Sequence, residues 1–306
     1  MTKSYDGRRH VAIDGYEYLV DDDDMTAWIE CGPREVPEIY VLPERVNIDG
    51  RSYLVTSVEI GAFSFVTPPI KELVVHDSIE YIDEDSFQMT TVRTVRIGKG
   101  LKWYHPWLFS NNIERVFIDR DNPYIRMSAD GNFVLTADGR KLLAVISDPE
   151  EIRIPEGVET ISECAISCKS LLKTVTLPPT LKTIEENGIY ECHSLPEIIV
   201  PEGTVTVRHQ GISYNESLRR IDLPASLETV GWEVCTDNGN LEELTLRCPE
   251  VMSLADEEAA MWRTFVPKDN CRLVVPGHLT EAYGRHPLWG LFKHIEPLSE
   301  TIADNQ

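Results

Sequence analysis

Basic residues are scarce in this 306-residue chain: 29 Lys and Arg stand against 51 Asp and Glu, a formal charge of −22. A protein that grips a nucleic-acid backbone displaces counterions with Lys and Arg, so this balance argues against nucleic acid as a partner. It argues equally against an anionic membrane surface. No apolar run approaches the roughly 18–20 residues of a membrane helix, so no membrane insertion is expected. The N-terminal MTKSYDGRRH has no apolar stretch behind its basic residues and does not read as a secretory signal. Cysteines number seven, an odd count in a long chain and not the dense pattern of a small disulfide framework; they lean toward a reducing compartment.

Catalytic signatures are missing too. None of the eight histidines stands in a His-Glu-x-x-His spacing, and neither a Gly-x-Ser-x-Gly elbow nor a phosphate-cradling glycine loop occurs. Paired carboxylates could be picked almost anywhere among 51 acids, so they single out no site. No catalytic residue, cofactor or metal is therefore expected. What remains is a globular composition, 42% apolar and 26% charged, over a length that suits one elongated domain or two compact ones.

Repetition dominates what is there. Pro155, Pro178, Pro201 and Pro224 lie 23 residues apart, as do Ile154, Leu177, Val200, Leu223 and Leu246. Ile161, Ile184, Val207 and Val230 keep the same interval, and so do Leu172, Leu195, Leu218 and Leu241. Within a unit the pattern is apolar-x-x-apolar-x-apolar-Pro. Worn copies follow Ile70, Val92 and Ile113, a first unit sits at Pro37–Pro43, and a last one holds Leu273, Val275 and Pro276. Alternate apolar residues stopped by Pro predict a short strand with one buried side, because Pro cannot donate to a ladder. One such unit cannot bury that side alone, so units must stack at about 4.8 Å with equivalent side chains in columns. Thr160, Thr183, Thr206 and Thr229 read as a stacked, structural Thr ladder.

Two stretches exceed the period. NIDGRSYLV, near 47–56, predicts a hairpin turning at Asp49-Gly50, and 123–147 predicts strands joined by turns at Asp130-Gly131 and Asp138-Gly139. The ends read as caps. A hairpin at Asp14-Gly15 and a strand in AWIEC open the chain. A short helix, the aromatic plugs Trp289 and Phe292, and a strand at Ile295 close it. The expected domains are a β-hairpin cap (1–36), a solenoid (37–248), an irregular segment with a capping repeat (249–298) and a tail (299–306). DEEAAMW, within 249–270, predicts a short helix.

These units resemble the bacterial BspA-like leucine-rich-repeat family, through IPEGVETISECAISCKSL and LPPTLKTIEENGIYECHSL, the NIDGRSYLVTSVEIGAF opening and the VPGHLTEAYGRHPLWGLFKHIEPL ending. The resemblance runs from about residue 37 to 298. It implies a mostly β, right-handed leucine-rich-repeat superhelix and a secreted or cell-surface protein, with adhesion to host proteins among the family's roles. It carries over no catalytic motif. Two units depart from the family's Ala-Phe pair, with Leu108-Phe109 and Val234-Cys235 in its place.

Several residues invite a chemical reading. Cys164, Cys168 and Cys192-His193 are weighed as zinc ligands and read as packed thiols, since a zinc site needs four convergent ligands. Asp21–Asp24 lacks the alternating spacing of a calcium loop and reads as a solvated turn. The residue between the two strand apolars should face outward. Down the stack it reads Val74, Arg96, Phe117, Arg153, Thr176, Ile199, Asp222, Thr245. Phe117, Arg153, Thr176, Ile199 and Asp222 are the candidate binding residues, with cover by the 123–147 insertion as the competing explanation for Phe117. The function expected is a non-catalytic scaffold for a protein or glycan partner. The alternatives are a hydrolase with a site in 249–270 or 123–147, or a structural spacer.

Overall fold

Strands of two to four residues are what the apolar-x-apolar-Pro unit allows, and most strands in a computed structural model of the chain have that length. It describes residues 7–64, 70–83, 86–87, 92–105, 108, 113–231, 233–234, 236–252, 254–255 and 270–299. The chain divides into two compact units: residues up to 139 with 144–147, and residues 140–143 with those from 148 onward. The expected helix at 256–262, Phe109 and Cys235 lie outside the described residues. No helix among the described residues is long and apolar enough to cross a membrane.

The first unit opens with the antiparallel hairpin Arg9–Ile13 and Tyr16–Asp21, turning at Asp14 and Gly15 with φ of 51° and 80°. Both values are left-handed, as this hairpin turn requires. Thr26–Cys31 continues the sheet antiparallel, and pairing then becomes parallel through Arg51–Val58, Tyr81–Ile82 and Trp103–Tyr104. Arg45–Ile48 folds onto Arg51–Val58 about Asp49-Gly50, the predicted turn. A second sheet joins Ile39–Val41, Glu72–Val75, Thr94–Ile97 and Arg115–Ile118, all parallel and in register. Tyr40, Leu73, Val95 and Val116 form its buried file. In the long insertion, Ile125–Met127 pairs antiparallel with Phe133–Thr136 around Asp130-Gly131.

The second unit carries the regular repeat. Thr160–Ile161, Thr183–Ile184, Thr206–Val207 and Thr229–Gly231 stack in parallel, so the four threonines are cross-strand neighbours as the period predicts. Ile161, Ile184, Val207 and Val230 are fully buried, and so are Leu172, Leu195 and Leu218; Leu241 is half-buried. Each such side chain contributes about 1.5–3 kcal/mol relative to exposure. Ile166–Ser167, Ile189–Tyr190 and Ile212–Ser213 make a further parallel sheet.

A polar column runs beside the apolar ones. Asn215 Oδ1 accepts from the Cys192 amide at 2.9 Å, and its Nδ2 donates to the Ile189 carbonyl at 3.2 Å. Asn238 repeats both bonds one rung on, to Asn215 and Ile212. Cys192 holds the same place a rung earlier, its thiol donating to the Ile166 carbonyl at 3.5 Å. Turning corners leave backbone groups that strands cannot satisfy, and this column satisfies them.

The C-terminal cap matches its expected parts. Helix Thr280–Arg285 is followed by the buried Trp289 and Phe292, and strand His294–Pro297 pairs parallel with Arg272–Val275. Trp289 Nε1 donates to the Met252 carbonyl at 2.7 Å, and the Met252 amide donates to the Tyr283 hydroxyl at 3.0 Å. Both aromatic rings thus keep a partner for their polar atom while filling the end of the core.

Candidate functional site

The outward residues of the short-strand sheets are set by pleating: their neighbours on either side fill the core. In the first unit the row reads Val41, Val74, Arg96, Phe117, in register. Val41 is 53% exposed and Phe117 44%, so Phe117 stays open despite the nearby insertion. The Arg96 guanidinium lies 4.4 Å from the Phe117 ring centroid, while its Nε bonds Glu72 at 2.6 Å. Glu72 and the ring therefore hold the cation in place between them.

In the second unit Arg153 is exposed and lies in register with the half-buried Thr176. Ile199 is 54% exposed and pairs with Asp222. Here the expected outward row stops. Asp222 is only 4% exposed and Thr245 2%. Arg247 grips the Asp222 carboxylate through Nε and Nη2 at 2.7 and 2.8 Å, and Arg220 Nη2 adds a third bond at 3.1 Å. Glu243 in turn accepts from Arg220 Nε at 3.1 Å, from Arg272 at 2.6 Å and from the Thr245 hydroxyl at 3.1 Å. Side chains from neighbouring columns fold over the row and seal it. Asp222 is thus a buried ion-pair centre, which corrects its placement on an open face.

The other candidates resolve as packing. Cys164 and Cys192 are buried free thiols and Cys168 is a half-buried one. Burial pushes Cys168 up to about 11 and Cys192 up to about 12, so both stay protonated at neutral pH and are weak nucleophiles. Among the described residues no three His, Cys, Asp or Glu side chains converge as a metal site would need. The acidic run is a tied turn. Asp21 accepts from the Asp23 and Asp24 amides at 3.0 Å each, and the Arg9 guanidinium and Tyr53 hydroxyl hold the Asp22 carboxyl down at about 2.

Sequence reasoning missed one feature. Tyr81 and Trp103 stack with centroids 4.1 Å apart and planes 9° apart, and Trp103 and Tyr124 are each 41% exposed. The available signal was spacing: Tyr81 to Trp103 and Lys102 to Tyr124 are both 22 residues, one worn repeat.

Stacked parallel rungs with apolar files, a buried Asn column and an open outward row define a leucine-rich-repeat β-solenoid. The chain belongs to the BspA-type leucine-rich-repeat family, whose profile matches residues 52–130 and 146–257 in six copies. It is similar in structure to a leucine-rich repeat protein from Eubacterium ventriosum, at 14% identity and TM-score 0.58 over 86% of this chain and 82% of that one. Weaker likenesses are the pneumococcal vaccine antigen PcpA (12% identity, TM-score 0.48, 96% and 99% of the two chains) and a leucine rich cell surface protein from Faecalibacterium prausnitzii (14%, 0.43, 79% and 95%). No curated protein matches the chain. At such identities the Eubacterium likeness speaks to fold alone.

Proposed function

We propose that this protein is a non-catalytic repeat scaffold that binds a protein or glycan partner through the outward rows of its short-strand sheets. The observation that carries this reading is the exposure of Phe117, Val41 and Ile199 on sheet positions that solvated proteins fill with polar side chains. Arg96 over Phe117, and Arg153 beside Thr176, add the arginine and aromatic chemistry enriched at interfaces. Membership of a leucine-rich-repeat family supports a scaffold role. Surface display and adhesion belong to the same proposal.

The test is a quadruple variant, Phe117→Ala, Arg153→Ala, Thr176→Ala and Ile199→Ala. Asp222 is left intact because its removal would strand Arg247 and Arg220. Against an array of purified host-surface proteins and glycans, the native chain should bind at least one probe. The variant should lose that binding while its melting temperature holds. Undiminished affinity in the variant removes these rows from the function.

A further inference from the structure

Beyond those rows, the first unit carries a second exposed patch, formed by two strands of its other sheet and by Tyr124 just before the strand Ile125–Met127. Tyr81 and Trp103 stand in register on neighbouring strands and stack face to face. Immediately before them in the chain, Glu80 and Lys102 form an ion pair at 2.8 Å. Lys102 Nζ lies 5.9 Å from the ring centroid of Tyr124, one repeat further on. Two files thus run side by side: Tyr81 and Trp103 in one, Glu80, Lys102 and Tyr124 in the other. Trp103 and Tyr124 each keep 41% of their surface in solvent.

Charge decides what such a patch suits. The chain as a whole is at −22, yet here one carboxylate and one ammonium cancel. An anionic ligand would approach against the field of the whole molecule. The same field draws in a basic peptide, but at the ring of Tyr124 that peptide would meet an ammonium already placed there. A neutral polyhydroxylated ring meets neither obstacle. Its flat C–H face can lie beside exposed aromatic rings, and its hydroxyls can donate to Glu80 and accept from Lys102 in charge-assisted bonds.

We infer that Tyr81, Trp103 and Tyr124, with Glu80 and Lys102, form a docking site for a neutral saccharide. This site lies outside the sheets that carry the outward rows above, so either can fail while the other stands.

The test is titration calorimetry of the full chain with neutral glucan, mannan and galactan hexasaccharides. A sulfated heparin hexasaccharide and a Lys/Arg-rich peptide serve as the competing probes. At least one neutral hexasaccharide should bind, and Trp103→Ala and Tyr124→Ala should each weaken it at least ~10-fold. Lys102→Gln, which spares both rings, should weaken it by a smaller factor and leave the melting temperature in place. Binding of the peptide or the heparin fragment alone overturns the proposal. So does the absence of any neutral ligand, or an affinity equal in native chain, Trp103→Ala and Tyr124→Ala.

Discussion

At the scale of single residues, Cys192 shows how a repeat position constrains chemistry. Its column asks for a side chain that can satisfy backbone groups on adjacent rungs, which Asn215 and Asn238 do with an amide. Cys192 does so with a thiol sealed from water. Burial pushes that thiol from an ordinary value of 9.0 up to about 12, despite an opposing hydrogen bond from the Lys169 backbone. A raised folded value fixes the sign of the linkage. The stabilisation is fully present below about pH 9, where the unfolded thiol is still protonated. It is lost as pH rises toward about 12, because only the unfolded chain releases its proton in that window. The slope from one thiol reaches at most about 1.4 kcal/mol per pH unit. Cys192→Asn should fold, extend the Asn column by a rung and flatten this alkaline decline. Urea unfolding of both proteins at intervals from pH 8 to 11 measures it, and parallel curves would contradict the assignment.

Whole rungs show what was readable in advance. The apolar files at Leu172, Leu195 and Leu218 and at Ile161, Ile184, Val207 and Val230 were legible because a buried column demands the same kind of side chain at a fixed interval. The turns at Asp14-Gly15, Asp49-Gly50 and Asp130-Gly131, and the helix, aromatic residues and strand near the C-terminal end, were legible for a similar reason, each following a local rule of turn or packing. The corners were not. Cys164, Asn187, Gln210 and Glu233 share a left-handed backbone with φ from 50° to 55°, and Cys168, Glu191, Tyr214 and Asp237 share another. Their side chains have nothing in common, so the period hides in the backbone. Asp222 was misread for a related reason. Its strand position points away from the core, and only arginines from neighbouring columns bury it. Holding an L-residue left-handed costs about 1–2 kcal/mol, and more for a β-branched side chain. Gln210 already carries that general cost, so Gln210→Val should lower stability by the further cost of its branched side chain. Gln210→Gly should not, since glycine takes that conformation freely. Equal unfolding midpoints for the two variants would show that the corner bears no such strain.

Across the whole molecule, stacking creates an electrostatic problem, because any charged position recurs about every 4.8 Å. Pairing of opposite signs on neighbouring rungs is the solution visible in both units. Glu38 meets Lys71 at 2.7 Å, Arg93 meets Glu114 at 2.5 Å, Glu150 meets Lys173 at 2.8 Å and Arg219 meets Glu242 at 2.9 Å. Glu197, Arg220, Glu243, Arg272 and Glu296 extend this to a ladder of five. These pairs sit at the surface, where each is worth about 0–1 kcal/mol and salt weakens it. Set against them is an excess of 22 negative charges, whose mutual repulsion salt also weakens. The two effects oppose each other, and the excess acts over longer distances than the contact pairs. Raising NaCl from about 10 mM to about 150 mM shortens the screening length from roughly 30 Å to 8 Å, which quenches the long-range repulsion first. The melting temperature should therefore rise by a few degrees over that range at neutral pH. A fall would mean that the inter-rung pairs outweigh the repulsion, and that the alternating ladders contribute more to stability than exposed ion pairs ordinarily do.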